Sequence, residues 1–275
     1  MTIRPGRIAV HIALSLYTIL ALGPILLILI NAFKTRRAIF ADPLGFPDGQ
    51  TFTTIGFDRV FANSDFGLYF FNSLTVTVIS LVLIVLIGAM AAWAMTEYKF
   101  RGNTLIGLYL AIGIMVPIRL GSVSILRMMV ELNLVNTLTA LILVYVAQGL
   151  PLAILILGEF IQQIPKDLRD AARCDGVSEY RIFFSIILPL ISPAIATVAV
   201  FTMVPVWNDL WFPLILAPGE ATKTITLGAQ MFVGQFVTDW NAVLAALSLA
   251  IVPVLLLYLV FSRQLIRGIT SGAVK

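Results

Sequence analysis

The chain has 275 residues, of which 60% are hydrophobic and 12% are charged, and its net charge is +4. A soluble domain carries about 45–50% apolar and about 25% charged residues, so this chain lacks the polar side chains that would cover a globule of its size. The composition excludes a soluble enzyme, a nucleic-acid-binding module and a disordered chain, and it predicts an integral membrane protein.

Six stretches are apolar and long enough to cross a membrane, since a spanning helix needs roughly 20 residues for about 30 Å of hydrocarbon. In chain order they are 10–32, 71–95, 104–127, 137–161, 190–216 and 242–262. The third is the weakest because it contains Pro117, Arg119 and Arg127. We therefore predict an all-α membrane protein in which residues 1–275 form a single domain of six transmembrane helices.

The positions of Lys and Arg predict the orientation, because cytoplasmic loops carry more of them than outer loops. With the N-terminus inside, eleven cations are cytoplasmic: Arg4, Arg7, Lys99, Arg101, Lys166, Arg169, Arg173, Arg181, Arg263, Arg267 and Lys275. Seven are outside: Lys34, Arg36, Arg37, Arg59, Arg119, Arg127 and Lys223. The three cations at 34–37 oppose this orientation, but the balance places both termini in the cytoplasm. The long connection 34–70 should fold against the outer face.

The chain shows no pattern typical of a catalytic or metal site. His11 is the only histidine and lacks the partners of a catalytic set, and the single cysteine, Cys174, excludes an internal disulfide. The segment 219–224 superficially resembles a phosphate loop, but Thr222 stands where such a loop needs glycine before its lysine. We predict no catalytic residue, no metal site and no cofactor bound by this chain.

Charged residues are scarce inside the predicted spans, which bears on how transport would be driven. Ion-coupled transporters place acids and bases near the middle of the membrane. Here Glu159 lies at an inner end, and Asp209 lies toward an outer end. This inventory disfavours an ion-coupled secondary transporter acting alone. That class, and more distantly a structural scaffold, are kept as alternatives to the function that the inner loop indicates below.

The inner loop 164–189 has the pattern of two short helices joined by a glycine. Pro165 suits a first helical turn, and Gly176 suits the end of that helix. Acidic residues lie toward the N-terminal end of the first helix and basic residues toward its C-terminal end, as the helix dipole favours: Asp167, Asp170, Arg169 and Arg173. Ser178 is the expected N-cap of the second helix, which Pro189 ends or bends. Periodicity alone leaves open a plain amphipathic loop on the membrane surface.

This loop resembles the EAA motif of binding-protein-dependent ABC importer permeases. The residues that carry the resemblance are Asp170, Ala171, Ala172, Gly176, Ile186, Leu188 and Pro189. Asp170 stands where the motif usually has glutamate, which keeps the carboxylate on a shorter side chain. Further segments resemble the carbohydrate-uptake, maltose-type permeases, namely 72–74 (Asn72, Ser73, Leu74), 207–209 (Trp207, Asn208, Asp209) and the tail 268–275.

The resemblance implies an ABC importer permease of the bacterial inner membrane that translocates a mono- or oligosaccharide or a glycoside. It implies a second homologous permease, an ATPase dimer that holds ATP and Mg²⁺, and an external solute-binding protein, but no nucleic acid. The chain itself would contact membrane lipid and would not be an enzyme.

The same resemblance makes the loop a coupling helix that docks on the ATPase. The implied coupling residues are Asp170, Ala171, Ala172, Asp175, Gly176, Ile186, Leu188 and Pro189. Two small alanines would allow close approach, and the charged residues Asp167, Asp170, Arg169 and Arg173 would form ion pairs at the rim of the interface.

A polar and aromatic cluster in the fifth span could contact carbohydrate. Trp207 and Trp211 are four residues apart, and this spacing predicts one helix face with Asn208 and Asp209 beside it. Tryptophans of an interfacial belt are an equally good interpretation. Tyr145 and Gln148 in the fourth span are further substrate-path residues, and Asn72 is expected to cap the second span.

Overall fold

The computed structural model describes the backbone of residues 5–234 and 238–273, and their side chains except at 5–7, 9 and 257–273. Among the described residues, three helices are long and apolar enough to cross a membrane: Val10–Asn31, Phe66–Glu97 and Leu138–Gln162. Two bent helix pairs raise the number to five if each pair is one span. Trp240–Leu256 is a shorter apolar helix. The all-α membrane fold is confirmed, whereas the count of six spans stays a prediction.

The chain divides into two compact units, and the single-domain boundary of 1–275 stays a prediction. Unit 1 contains Met1–Gly67 and Ile225–Pro253, and unit 2 contains Leu68–Thr224 and Val254–Lys275. Within the described residues no β-strand occurs, and the one β-bridge joins Lys34 to Phe52. The last two residues of the tail motif, Val274 and Lys275, lie outside the described residues.

Unit 1 is built from helices around the segment that follows the first span. Its helices are α1 (Pro5–Asn31), α2 (Arg36–Ala41), α3 (Ile55–Asn63), α13 (Ile225–Gln230) and the start of α14 (Trp240–Ala273). Lys34 is buried, and its Nζ donates to the carbonyl of Asp42 at 2.7 Å. Asn241 donates to the carbonyl of Lys34 at 2.7 Å, and Arg59 pairs with Asp239 at 2.8 Å. The segment after the first span is therefore folded, and its placement against the outer face stays a prediction.

Unit 2 holds the segments that the sequence associates with function. Its helices are α4 (Phe66–Glu97, whose first two residues belong to unit 1), α5 (Asn103–Met115), α6 (Ser122–Glu131), α7 (Leu138–Gln162), α8 (Lys166–Cys174), α9 (Glu179–Ile182), α10 (Leu188–Leu190), α11 (Ser192–Trp207) and α12 (Trp211–Leu216). One apolar cluster joins α4, α7, α8, α9 and α11 through side chains such as Ala92, Leu157, Ala172 and Ile182. Small residues let helices approach closely here, since a Cβ on Gly88 would lie 3.0 Å from that of Ala153.

The third and fifth predicted spans are not continuous helices, which corrects the expectation for 104–127 and 190–216. The third bends by 88° between Met115 and Ile118. Pro117 lacks an N–H and drives the residue before it out of the helical region, and Val116 is accordingly extended, with ψ of 117°. The fifth bends by 73° at Ile191 and is interrupted again between α11 and α12.

Candidate functional site

The loop that follows α7 folds as the helix, glycine and helix that its sequence predicts. Pro165 precedes the first residue of α8, where its missing N–H leaves no hydrogen bond unmade. Asp167 lies in the first turn of α8, and Arg173 lies in the last, as the helix dipole favours. The local signals of the sequence were sufficient here because every one of them acts within a few residues.

Gly176 ends α8 in a left-handed conformation with φ of 73°. Its N–H donates to the carbonyl of Arg173, and the N–H of Val177 donates to the carbonyl of Ala172, both at 3.0 Å. These two bonds satisfy carbonyls that the helix end would otherwise leave without partners, as in a Schellman motif. The predicted role of Gly176 as the helix stop is confirmed.

The two faces of α8 differ in what they contact. Leu168, Asp170 and Ala171 are exposed, whereas Arg169 and Ala172 are buried. Ala172 packs in the apolar cluster of unit 2, so it does not offer its side chain to a partner. Of the two alanines expected to allow close approach, Ala171 is therefore the exposed one, and their part in docking stays a prediction.

Glu97, at the end of α4, accepts hydrogen bonds from two arginines of α8. Arg169 pairs with one carboxylate oxygen, and Arg173 pairs with the other at 2.6 Å. The guanidinium of Arg169 also lies over the ring of Trp93, 5.6 Å from its centroid. The expectation that both arginines form ion pairs at a partner's rim is therefore wrong for Arg169, which is only 3% exposed.

Arg173 extends this network to the second helix of the loop. Its Nε donates to Glu179 at 2.7 Å, its Nη1 donates to Asp170 at 3.1 Å, and the hydroxyl of Tyr98 donates to Glu179 at 3.0 Å. Hydrogen bonds to Glu179 and Glu97 raise the pKa of Arg173 above its ordinary value. Burial and the bond to Glu179 raise the pKa of Tyr98, which keeps its hydroxyl a donor.

The second half of the loop contains a π-helical turn. Residues Phe183–Ile187 form this turn between α9 and α10. Most π turns are single-turn bulges inside α-helices, and they are frequent at functional sites. Ser178 occupies the N-cap position of α9 but makes no capping hydrogen bond with its side chain. Pro189 is exposed, and Ile186 and Leu188 are half-buried. The chain bends just after this segment, at Ile191.

The two tryptophans of the substrate-path cluster do not share one helix face. Trp207 is the last residue of α11 and is buried, whereas Trp211 is the first residue of α12 and is 42% exposed. Pro205 and Pro213 flank the interruption and limit the backbone hydrogen bonding there. The four-residue spacing therefore gave a wrong expectation, because it assumed a continuous helix.

Asp209 lies in this interruption, and its buried carboxylate is the centre of a hydrogen-bond network. One carboxylate oxygen accepts from Tyr145 at 2.9 Å and from the N–H of Phe212 at 3.1 Å. The other accepts from Arg119 at 3.2 Å and from the N–H of Trp211 at 3.3 Å. The carboxylate thus accepts from the first two backbone N–H groups of α12. It also links α12 to α7 through Tyr145 and to the turn before α6 through Arg119.

Of the remaining substrate-path residues, Gln148 borders a cavity and Asn208 is exposed. The cavity has a volume of about 670 Å³ and lies between α7 and the bend of the third span, with Tyr109, Pro117 and Gly121 in its wall. Asn208 donates to the carbonyl of Val204 at 2.9 Å. The six predicted substrate-path residues thus form two groups. Tyr145, Trp207 and Asp209 are buried, whereas Gln148, Asn208 and Trp211 are exposed.

Asn72 does not cap the second span, contrary to expectation. The helix α4 already begins at Phe66, so Asn72 lies in its second turn. The amide of Asn72 donates to the carbonyls of Ala221 and Lys223, at 3.0 and 2.9 Å. Asn72 therefore holds the 221–223 turn against α4.

Sequence reasoning missed Glu97, Trp93 and Tyr98 as partners of the loop. The one available signal was that Glu97 is the first acidic residue after Asp65 and closes a long apolar stretch. An acid that closes so long an apolar stretch gains from a nearby cation, and Arg169 and Arg173 lie four residues apart in the loop.

The family described as binding-protein-dependent transport system inner membrane component has a model that matches residues 84–271. The diacetylchitobiose uptake system permease protein of Streptomyces coelicolor is 32% identical over 95% of this chain and 87% of its own length. The sulfoquinovosyl glycerol transport system permease protein of Agrobacterium fabrum is 32% identical over 98% and 94%. The arabinooligosaccharides transport system permease protein of Halalkalibacterium halodurans is 31% identical over 93% and 92%.

Solved structures show the same fold. A chain in the crystal structure of a bacterial ABC transporter that imports the acidic polysaccharide alginate superposes with a TM-score of 0.79 and 20% identity, covering 96% of this chain and 98% of that one. A chain of the MetNI methionine ABC transporter, in inward-facing conformations, gives a TM-score of 0.53 and 16% identity over 70% and 91%. At these identities the likeness concerns the fold alone.

Proposed function

The chain belongs to the family of binding-protein-dependent transport system inner membrane components, the permeases of ABC importers, and from this premise we propose that it translocates a saccharide or glycoside. The observation that carries the choice of solute is the similarity to permeases named for diacetylchitobiose, sulfoquinovosyl glycerol and arabinooligosaccharides. Each of these relatives covers at least 93% of this chain, so the likeness includes both the loop and the spans.

The loop of α8 and α9 is the part that docks on the ATPase in this proposal. The exposed positions of the predicted motif, Asp170, Ala171 and Asp175, supply the contact surface, while Gly176 sets the angle between the two helices. Ala171 is the small residue that permits close approach. The buried side of α8 then carries any displacement inward, to the apolar cluster that it shares with α4 and α7.

The partner chains bind ATP, complete the pathway and deliver the sugar. ATP and Mg²⁺ bind to the ATPase dimer, whose closure moves the docked loops, and the spans respond as rigid bodies. A second homologous permease completes the pathway, and an external binding protein delivers the sugar. The loop faces the cytoplasm together with both termini, in the orientation that the distribution of Lys and Arg favours.

The exposed members of the substrate-path cluster contact the sugar in this proposal: Gln148, Asn208 and Trp211. An aromatic ring offers a flat apolar surface to a sugar ring, and amide groups pair with hydroxyls. Tyr145, Trp207 and Asp209 shape the interruption between α11 and α12 instead. Because Asp209 accepts four hydrogen bonds from its own chain, it has little capacity left for a ligand.

Reconstitution tests the function directly. The complex of this chain with its second permease, ATPase and binding protein is placed in liposomes, and uptake of radiolabelled sugars is measured with and without ATP on the ATPase side. A thermal-shift screen of the binding protein selects the sugars. We expect uptake that requires ATP and the binding protein. Uptake by this chain alone, driven by an ion gradient, would instead establish the secondary-transporter alternative.

A further inference from the structure

We infer that Glu97 is a positioning residue that makes α4 move together with the coupling helix α8. This inference rests on the proposed function, since it concerns how motion of the docked loop reaches the spans. The juxtaposition that carries it is one carboxylate at the end of a 32-residue helix, shared by two arginines of a nine-residue helix.

The ion pairs of Glu97 with Arg169 and Arg173 hold α8 in one orientation, and the Glu97 and Arg169 side chains are mostly buried. The Glu97 side chain is 11% exposed and that of Arg169 is 4% exposed, so neither charge is well solvated. Separating α8 from α4 would leave an unpaired charge out of water, which is strongly unfavourable. Arg169 and Arg173 are four residues apart on α8 and reach the two oxygens of the same carboxylate, which fixes the rotation of α8 as well as its distance.

The connection from α8 to the fifth span is less direct. It runs through Gly176, through the π turn Phe183–Ile187 and through the 73° bend at Ile191. Apolar contacts in the shared cluster permit sliding, because they have no preferred direction. The ion pairs to Glu97 do not permit it. We therefore assign the tighter mechanical link to α4, a span that the motif itself does not include.

The test compares Glu97→Gln with Glu159→Gln in the reconstituted complex. Glutamine keeps the shape of Glu97 and removes its charge. Glu159, in the last turns of α7, is exposed and forms no ion pair with any residue that the structure describes, so it is a matched control. Subunit stoichiometry, basal ATPase activity, ATPase activity with loaded binding protein, and uptake are measured for each variant.

We expect Glu97→Gln to assemble with normal stoichiometry and normal basal ATPase activity, and to hydrolyse more ATP per sugar imported. The ratio should rise by about tenfold, the scale on which losing a hydrogen bond to a charged group changes an equilibrium. Glu159→Gln should match the wild type. An unchanged ratio in Glu97→Gln would overturn the inference. Loss of the ATPase from that variant would also overturn it, because Glu97 would then serve only to shape the docking surface.

A double-mutant cycle with Arg173→Gln identifies the path of the effect. If Glu97 acts through Arg173, the double variant should be little worse than either single one. Additive effects would contradict the inference. Arg173 is about a third exposed. If Glu97→Gln does not fold or does not pair with the second permease, Arg173→Gln alone takes its place, with the same expected ratio.

Failure of this inference and failure of the proposed function are distinguishable. If the wild-type complex imports a solute other than sugar, the same ratio of ATP to solute is measured for that solute. The identity of the solute then changes, while the comparison of Glu97→Gln with Glu159→Gln still decides the role of Glu97.

Discussion

Gly176 is the residue whose backbone most restricts substitution in the coupling loop. Its φ of 73° is strained for any residue with a Cβ, although no atom of the described residues outside its own neighbours lies within 4 Å of where that Cβ would be. Gly176→Val should destabilise the helix end by about 1–2 kcal/mol or more, because β-branched residues tolerate this region least. We expect loss of ATPase attachment or of its stimulation by loaded binding protein, measured as subunit stoichiometry and ATPase activity.

Gly176→Asn is the matched control at the same position. Asparagine adopts the left-handed region far more readily than valine, so this variant should retain most of its activity. Equal defects in both variants would show that the space around Gly176, rather than its backbone conformation, is what docking requires.

Asp209 is expected to act on stability rather than on sugar binding. Asp209→Ala leaves the buried hydroxyl of Tyr145 without its acceptor and removes the partner of Arg119. The free energy of unfolding should fall by about 1–3 kcal/mol, measured by thermal unfolding of the purified protein in detergent. Adding Tyr145→Phe should restore part of the loss, since it removes the orphaned hydroxyl. Asn208→Ala, at the exposed neighbour, should leave stability unchanged.

If Asp209→Ala keeps its stability and instead raises the KM for uptake, the carboxylate belongs to the sugar path, as the sequence suggested. The two outcomes are separated by measuring both quantities on the same preparation.

At the scale of the element, one face of α8 packs against other helices of its own chain. Arg169 and Ala172 point inward, and Ala171 points outward beside Leu168. Ala171→Glu places a charged side chain into the proposed docking contact, where a charge without a partner is strongly unfavourable. We expect the ATPase to be lost from the purified complex, while the two permeases remain together, as measured by co-purification.

Ala171→Ser is the control for this effect of size and charge. Serine is nearly as small as alanine and uncharged, so the ATPase should remain bound. If Ala171→Glu retains the ATPase in the same amount as Ala171→Ser, this face of α8 is not the docking surface.

The broken helices show where element-level prediction reaches its limit. Apolar length predicts that a segment enters the membrane, and it correctly located α4 and α7. It does not report direction, so the 88° bend before Ile118 and the break at Asp209 were interpreted as straight helix. Pro117 and Pro205 were visible signals, but a proline alone is compatible with a kink, a bend or a complete break.

At the scale of the whole molecule, labelling of the single cysteine tests on which side of the membrane the coupling loop lies. Cys174 is exposed on α8, so a membrane-impermeant maleimide should label it only after the membrane is permeabilised. In a Cys174→Ser background, cysteines added at either terminus should behave in the same way, whereas cysteines within 42–66 should be labelled in intact cells. Labelling of Cys174 from outside would place the coupling loop on the wrong side for an ATPase and would reverse the orientation.

The sequence by itself determined the membrane class, the all-α fold, the family and the helix, glycine and helix of the coupling loop. These follow from composition, apolar length and signals a few residues apart, all of which are local. Only the tertiary structure decided that Glu97 binds Arg169 and Arg173, that Asn72 holds a distant turn, and that Asp209 joins two broken helices. Those partners lie 64 to 151 residues apart in the chain, and a single sequence does not relate side chains at such distances until the helices are packed.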